Sequence, residues 1–277
     1  MPTELTLAHS PDPDDAFMFY ALATERIDTD GLHFQHVLAD IETLNQKALR
    51  STYDVTAISF HAYAYLRDRY RLLRCGASFG DGYGPLLVAR APLAPADLGK
   101  KRVAVPGTLT SAYLLLKLFA PEVETTTMQF DRIPAAVAAG EAEAGLLIHE
   151  GQLTYAGAGL HKVVDLGEWW KQQTGLPVPL GGNAIRRDLE PELTQRIAAV
   201  LERSIRYALD HRPEALSHAL QYGRGLSTEL GDKFVGMYVN RWTLDCGPDG
   251  RRSIQLLLDR AHQAQLIPEP AKIEIVG

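Results

Sequence analysis

The stretch KRVAVPGTLTSAYLLLKLF, residues 101–119, decides the fold. Residues 103–105 predict a short apolar strand, the Pro-Gly pair at 106–107 predicts a turn, and 113–119 have the apolar spacing of a helix. A strand that passes through a tight turn into a helix is the repeating βα unit of a parallel sheet. The sequence therefore predicts an α/β protein.

Three further junctions have the same pattern of a β-rich run, a short polar turn and a helical run. Their strands are predicted at residues 4–9, 54–59 and 145–148, and helices are predicted over residues 16–24 and 60–70 after the first two of these strands. In parallel α/β sheets, the carboxyl ends of the strands and the helix starts that follow them line the ligand crevice. Two junctions fall in the first ninety residues and two in the next sixty, which predicts two lobes that face one cleft.

Two segments rich in glycine and proline predict where the chain crosses between the lobes. They are SFGDGYGPLLVARAPL (78–93) and TGLPVPLGGNAIRRDL (174–189). We therefore predict that lobe 1 comprises residues 1–90 and 182–277, with a helical C-terminal part, and that lobe 2 comprises residues 91–181. Gly80, Gly82 and Gly84 precede a strand rather than a helix, so a hinge is favoured over a dinucleotide-binding loop.

Composition excludes several functional classes. A net charge of -6 and the absence of Lys/Arg runs argue against nucleic acid and anionic membrane surfaces as partners. No apolar run is long enough to span a bilayer, and residues 1–15 lack the features of an export signal, so a cytoplasmic location is expected. Cys75 and Cys246 are too few for a disulfide framework and are expected to be reduced.

Metal and serine-nucleophile chemistry have no support in the sequence. His149-Glu150 begins like a zinc-protease motif, but Leu153 stands where the second histidine is required. His33 and His36 lie in a strand-like run, where i and i+3 point to opposite faces. We expect no metal site.

The strongest candidate site residues sit at the four junctions. Thr108, Thr110 and Ser111 combine hydroxyls with the free N–H groups of a helix start, an arrangement that holds carboxylates. Ser59 occupies the equivalent join after the second strand and is expected to donate hydrogen bonds. His149 follows the fourth strand, and imidazole is the side chain best suited to accept a proton at neutral pH.

Other polar and aromatic residues have structural alternatives. Asp14 and Asp15 are expected to stabilise a helix start, and Glu150 to be a first-turn acid. Glu42 and Asn45 share a helix face that spacing alone predicts to meet solvent. Trp169-Trp170 fits either a lid or the apolar seam of a helix. Tyr63, Tyr113 and Tyr155 follow the junctions and could stack on a ligand, but packing in the core is the favoured role.

Seven stretches of the sequence together match one known family. They are SPDPDDAFMFYAL (10–22), LADIETLN (38–45), AISFHAYA (57–64), DRYRLLRCGASFGDGYGPLLVAR (68–90), VAVPGTLTSAYLLLKL (103–118), FDRIPAAVAAGEAEAGLLIHE (130–150) and VVDLGEWWKQQTGLPVPLG (163–181). They resemble the 1,4-dihydroxy-6-naphthoate synthases of the futalosine route to menaquinone. The similarity covers the chain to about residue 190 and continues more loosely beyond it.

The resemblance implies a two-lobed fold like the type II periplasmic binding proteins. It implies a carbon-carbon lyase that converts cyclic dehypoxanthinyl futalosine into the naphthoate and dihydroxyacetone, without a metal or organic cofactor. The family's proton acceptor falls on His149, and its substrate contacts fall on Ala57, Ile58, Ser59, Thr110, Ser111 and Ala112. Asp14 stands where relatives often have Asn, so a contact from that position does not transfer.

Three alternatives share this architecture. A solute-binding protein would need an export signal, and a chorismate dehydratase of the same pathway lacks the His-Glu segment. An effector-sensing domain would need a DNA-binding module, for which we find no sequence pattern.

Overall fold

A computed structural model describes residues 3–277 and contains two mixed β-sheets flanked by helices. The seven-stranded sheet comprises β1 (Thr3–His9), β2 (Leu32–Leu38), β3 (Val55–Ser59), β4 (Tyr70–Leu73), β5 (Ser78–Gly80), β11 (Val178–Arg186) and β12 (Ile275–Val276). Its order is β12-β4-β11-β3-β1-β2, and β5 also pairs with β11. β1 pairs in parallel with β2 and β3, whereas β11 runs antiparallel to β3, β4 and β5.

The five-stranded sheet has the order β10-β6-β9-β7-β8. Its strands are β6 (Leu86–Ala89), β7 (Arg102–Val105), β8 (Glu124–Thr127), β9 (Ala144–Leu147) and β10 (His161–Asp165). β7 is parallel to β8 and β9, and β6 is antiparallel to β9 and β10. The parallel strand β7 leads into a helix at Ser111, so the strand, turn and helix predicted from residues 101–119 are confirmed.

Thirteen α-helices surround the sheets within residues 3–277. They are α1 (Pro13–Met18), α2 (Tyr20–Ala23), α3 (Ile41–Ala48), α4 (Phe60–Leu66), α5 (Ser111–Phe119), α6 (Ile133–Ala139), α7 (Gly151–Thr154), α8 (Leu166–Thr174), α9 (Pro191–Asp210), α10 (Arg212–Ala219), α11 (Thr228–Tyr238), α12 (Arg241–Leu244) and α13 (Gly247–Gln263). Short 3₁₀ turns lie at Pro95–Lys100, Phe130–Arg132, Tyr155–Ala158 and Leu220–Tyr222. None of the helices in this range is long and apolar enough to cross a bilayer.

The strands place the crossings between the two halves slightly earlier than predicted. β6 begins at Leu86 yet belongs to the five-stranded sheet, and β11 begins at Val178 yet belongs to the seven-stranded sheet. The predicted limits were residues 90 and 182. The physical reason is that a strand begins directly after each Gly/Pro turn, so the crossing is the turn itself rather than the apolar run that follows.

Gly84 and Gly167 let the first crossing approach the start of α8 closely. A Cβ added to Gly167 would lie 2.1 Å from the carbonyl carbon of Tyr83, and one added to Gly84 would lie 2.9 Å from Cα of Gly167. Only a residue without a side chain fits this backbone contact. The first crossing is therefore tightly packed against α8.

Two predicted helices are shorter than expected. The helix predicted over residues 16–24 is broken at Phe19 into α1 and α2. The helix predicted over residues 60–70 ends at Leu66, because Tyr70 and Leu72 are buried in β4 and β4 pairs with β11. Tertiary pairing overrides the local helical pattern in this second segment.

The hydrophobic core continues from both sheets into the C-terminal helices. In α9 the buried residues Ile197, Leu201 and Ile205 recur every four positions and pack in the same cluster as Leu7 and Phe17. Both cysteines are free and buried, as expected, and burial raises the pKa of Cys75 to about 12. The core thus fixes the rigid elements whose ends face the cleft.

Candidate active site

A cleft of about 730 Å³, open to solvent, lies where the strand ends of the two sheets face each other. The residues that the family resemblance implies to bind or transform substrate all line it, namely Ala57, Ile58, Ser59, Thr110, Ser111, Ala112 and His149. The structure thus brings the predicted set together, while the role of each residue stays a prediction.

Ser59 ends β3 and is held by a residue that the sequence pattern assigned to solvent. The Ser59 backbone N–H donates to Oδ1 of Asn45 at 2.9 Å, and Nδ2 of Asn45 donates to Oγ of Ser59 at 3.0 Å. Since the backbone N–H can only donate, the amide orientation is fixed and Ser59 Oγ acts as an acceptor. Its own hydroxyl hydrogen is left free for a ligand.

The hydroxyl cluster before α5 divides into three different roles. Thr110 caps the helix, because its Oγ1 accepts from the N–H of Tyr113 at 3.1 Å and donates to the carbonyl of Gly107 at 2.9 Å. Ser111 Oγ accepts from the backbone N–H of His61 at 3.2 Å. Thr108 is exposed and does not line the cleft. The first-turn N–H groups of α5 remain for a ligand.

His149 follows β9 in a backbone conformation that is unusual for any residue with a side chain. Its φ is 56°, in the left-handed region, where residues other than glycine are uncommon and strained. The Nε2 atom is buried without a hydrogen-bond partner among the residues that the structure describes. The Phe130 ring contacts the imidazole edge to face at 4.8 Å between ring centroids.

The other ring nitrogen of His149 faces Asp12. His149 Nδ1 lies 3.2 Å from Oδ2 of Asp12, whose side chain is 1% exposed. A carboxylate beside Nδ1 favours the tautomer with the proton on that nitrogen. The lone pair of Nε2 then remains available at the cleft.

Asp12 is ionised despite its burial. Burial acts to raise its pKa, but the nearby His149, a hydrogen bond from Ser10 and the guanidinium of Arg224 together hold the pKa of Asp12 below its ordinary value. Ser10 Oγ donates to Oδ2 at 2.6 Å, and Arg224 Nη1 donates to Oδ1 at 2.8 Å. Asp12 therefore gives His149 a fixed negative neighbour.

The two carboxyls in the first turn of α1 have the opposite tendency. Burial and the neighbouring Asp15 and Asp12 raise the pKa of Asp14 well above its ordinary value, and Asp14 lines the cleft with an unpartnered Oδ1. Burial also raises the pKa of Asp15 to about 6, although Oδ2 of Asp15 accepts a hydrogen bond from the N–H of Ser10. Asp14 is thus both a first-turn residue, as expected, and a cleft carboxyl whose pKa is raised.

Glu42 and Asn45 correct the prediction that their helix face meets solvent. Asn45 is fully buried against Ser59, and Oε2 of Glu42 accepts from the N–H of Leu109 at 3.1 Å in the facing half. The i, i+3 spacing correctly puts both on one face, but it carries no information on which way α3 is turned. Glu150 lies at the N-cap position of α7 rather than in its first turn, and its carboxylate accepts from Arg224 at 2.8 Å.

The aromatic candidates lie outside the cleft. The three tyrosines predicted after the junctions do not line it, whereas Tyr238 of α11 does, and Tyr238 Oη donates to Oε1 of Gln152 at 2.5 Å. Trp170 is fully buried and its Nε1 donates to Ser253 Oγ, so it belongs to a core seam rather than a lid. Asp12, Arg224 and Tyr238 carry no local sequence signal, because only the folded chain brings them to the site.

The cleft is lined by the imidazole of His149, whose Nε2 has no hydrogen-bond partner, by hydroxyls and by helix-start N–H groups. Over residues 3–277, no three His, Cys, Asp or Glu side chains meet as a candidate metal site. These cleft groups can bind a carboxylate and remove a proton from a ligand.

One family profile and two named enzymes match nearly the whole chain. The sequence profile of a family described as "Menaquinone biosynthesis" matches residues 5–263. The chain is 45% identical over 267 residues to a 1,4-dihydroxy-6-naphthoate synthase of Thermus thermophilus, with 96% of this chain and 97% of that one covered. It is 38% identical over 270 residues to the synthase of the same name from Streptomyces coelicolor, with 95% of each chain covered.

Solved structures confirm the fold. The crystal structure of an Archaeoglobus fulgidus protein matches with a TM-score of 0.92 at 48% identity, covering 95% of this chain and 98% of that one. An alkanesulfonate-binding protein of Xanthomonas axonopodis matches with a TM-score of 0.73 at 13% identity, covering 98% and 96% of the two chains, which shows the fold alone. The predicted two-lobed, periplasmic-binding-protein-like fold is therefore confirmed. By its profile match and by these identities, the chain belongs to the menaquinone biosynthesis family of enzymes that includes the 1,4-dihydroxy-6-naphthoate synthases.

Proposed function

We propose that this enzyme converts cyclic dehypoxanthinyl futalosine into 1,4-dihydroxy-6-naphthoate and dihydroxyacetone, as a carbon-carbon lyase with His149 as proton acceptor. The observation that carries the proposal is the environment of His149, which lines the cleft. Its Nε2 is buried without a hydrogen-bond partner, and its Nδ1 faces the carboxylate of Asp12. A base of this kind contributes about 10²- to 10⁴-fold in rate.

In the proposed reaction, His149 Nε2 removes a carbon-bound proton from the carbocyclic part of the substrate. The electron pair left on carbon starts the eliminations that break the bond to the sugar-derived fragment. Aromatisation of the product ring supplies the driving force. The imidazolium formed on His149 is stabilised by Asp12, which stays ionised.

The substrate carboxylate is proposed to bind at the start of α5. The N–H groups of Ser111 and Ala112 lie in the first turn and have no acceptor inside the helix. The macrodipole of this nine-residue helix also favours a negative charge there. The free hydroxyl hydrogen of Ser59 lies on the facing half of the cleft and can donate to a ring oxygen.

The test incubates purified protein with cyclic dehypoxanthinyl futalosine and detects the naphthoate and dihydroxyacetone by mass. His149→Asn should lower kcat by at least about 10²-fold while calorimetry still detects substrate binding. His161→Asn changes an exposed histidine at the start of β10 and serves as the matched control. Circular dichroism checks that both variants are folded.

Two outcomes would overturn the proposal. Wild-type protein that binds the substrate but releases no naphthoate would indicate a solute-binding protein of the same fold. Conversion of chorismate in place of the futalosine derivative would indicate the dehydratase. Wild-type turnover by folded His149→Asn would remove His149 from the mechanism and leave the overall reaction intact.

A further inference from the structure

Arg224 lies on the connection between α10 and α11 and reaches both halves of the molecule. Its Nη1 donates to Oδ1 of Asp12 at 2.8 Å, in the first half, and to Oε1 of Glu150 at 2.8 Å, in the second. Its guanidinium also lies over the Phe130 ring, 4.7 Å from the centroid. Three distant segments of the chain therefore meet at one side chain.

The backbone of Arg224 is strained in the same way as that of His149. Its φ is 47°, in the left-handed region, and Gly225 follows with a φ of 84°. A residue with a side chain keeps such a conformation only where its surroundings hold it. At Arg224, those surroundings are the two carboxylates and the ring.

Glu150 contacts Arg224, Arg224 contacts Asp12, and Asp12 faces His149. One oxygen of Asp12 accepts from Arg224, and the other faces Nδ1 of His149. Arg224 itself does not line the cleft, so it can act on the reaction only through its neighbours, and among these Asp12 is the one that faces Nδ1 of His149. Asp14, Asp15 and His9 are the other titratable groups that interact with Asp12.

We propose that Arg224 is a positioning residue, which joins Asp12 in one half to Glu150 in the other and keeps Asp12 in place against His149. The proposal rests on the proposed function of His149 as the base. It goes further by assigning to the C-terminal helical part a role in proton transfer.

The contrasting explanation is an ordinary ion pair that only adds stability. Arg224 is 31% exposed, and pairs of that kind contribute little on their own. However, Asp12 and Glu150 are 1% and 13% exposed, and without the guanidinium their carboxylates would face each other unneutralised. Removal of Arg224 should therefore change the charge environment of His149 and not only the stability.

The kinetic test compares Arg224→Gln with Asp12→Asn and with the double variant. Loss of the guanidinium favours the protonated imidazole, so the acidic limb of the kcat/KM profile should move up by about one pH unit. We expect kcat to fall by about 10- to 100-fold because the base is less well placed. In the Asp12→Asn background the same change should have less than about a twofold effect, because Arg224 acts through Asp12.

Two further variants separate charge from geometry. Arg224→Lys should restore the position of the acidic limb but only part of kcat, since one ammonium cannot reproduce the planar guanidinium. Arg224→Ala should be partly rescued by millimolar guanidinium, which can enter the surface cavity lined by Phe130, Glu150 and Arg224. Arg203→Gln removes an exposed arginine paired with Asp30 and should change nothing.

A measurement without substrate keeps this proposal separate from the proposed function. In ¹⁵N NMR of the ligand-free protein, the titration midpoint of the His149 imidazole should move upward in Arg224→Gln and stay in place in Arg203→Gln. If wild type lacks turnover but this shift is seen, the function fails and the positioning role stands. An unchanged midpoint together with an unchanged pH profile would overturn the role of Arg224.

Discussion

Glycine at position 149 should give a more stable protein than alanine, the reverse of the usual order. Both His149→Gly and His149→Ala remove the imidazole and its contacts, so those losses cancel in the comparison. The φ of 56° costs a residue with a Cβ about 1–2 kcal/mol, and glycine avoids that cost. Glycine loses about 0.5–1 kcal/mol more chain entropy on folding. The difference favours His149→Gly by about 1 kcal/mol.

Differential scanning calorimetry at neutral pH is a suitable assay, since 1 kcal/mol corresponds to about 2 °C for a chain of this size. The control is Arg206, which lies exposed within α9. There the usual order should hold, with Arg206→Ala more stable than Arg206→Gly by about 1 kcal/mol. Both variants at position 149 should be inactive. If His149→Ala melts at the same temperature as His149→Gly or at a higher one, the left-handed backbone at position 149 costs a side chain no free energy and the reasoning is refuted.

Three other predictions follow from contacts described above. Asn45→Ala should lower the free energy of unfolding in urea by about 2–4 kcal/mol, since two buried hydrogen bonds are lost, whereas exposed Gln46→Ala should change it by less than about 0.5 kcal/mol. Burial raises the pKa of Asp15 to about 6, so its folded carboxyl holds a proton that the unfolded chain releases above about pH 4. Its contribution to stability is complete below that pH and is lost as the pH rises through 6, and Asp15→Asn should flatten this part of the urea-derived stability profile. Gly167→Ala should destabilise the fold by more than about 3 kcal/mol because its Cβ would meet backbone at 2.1 Å, whereas Gly99→Ala, with open space around it, should stay within about 1 kcal/mol of wild type.

The parts of the fold that could be predicted are those in which the signal is local. The strand, turn and helix around residues 101–119 are contiguous, and so is the placement of His149 just after β9. The orientation of α3 was not predictable, because the spacing of Glu42 and Asn45 is the same whichever way the helix is turned. Arg224 and Asp12 are 212 positions apart, and no local pattern links them.

The position of β11 in the sheet also affects the order in which a growing chain can fold. β11 lies between β3 and β4, yet it is synthesised only after every strand of the five-stranded sheet. The five-stranded sheet, by contrast, draws all its strands from residues 86–165 and can be completed early. During translation, both edges of β4 therefore stay unpaired until residues 178–186 emerge, because its only neighbours among the described strands are β11 and β12. Such an exposed intermediate is a natural substrate for chaperones.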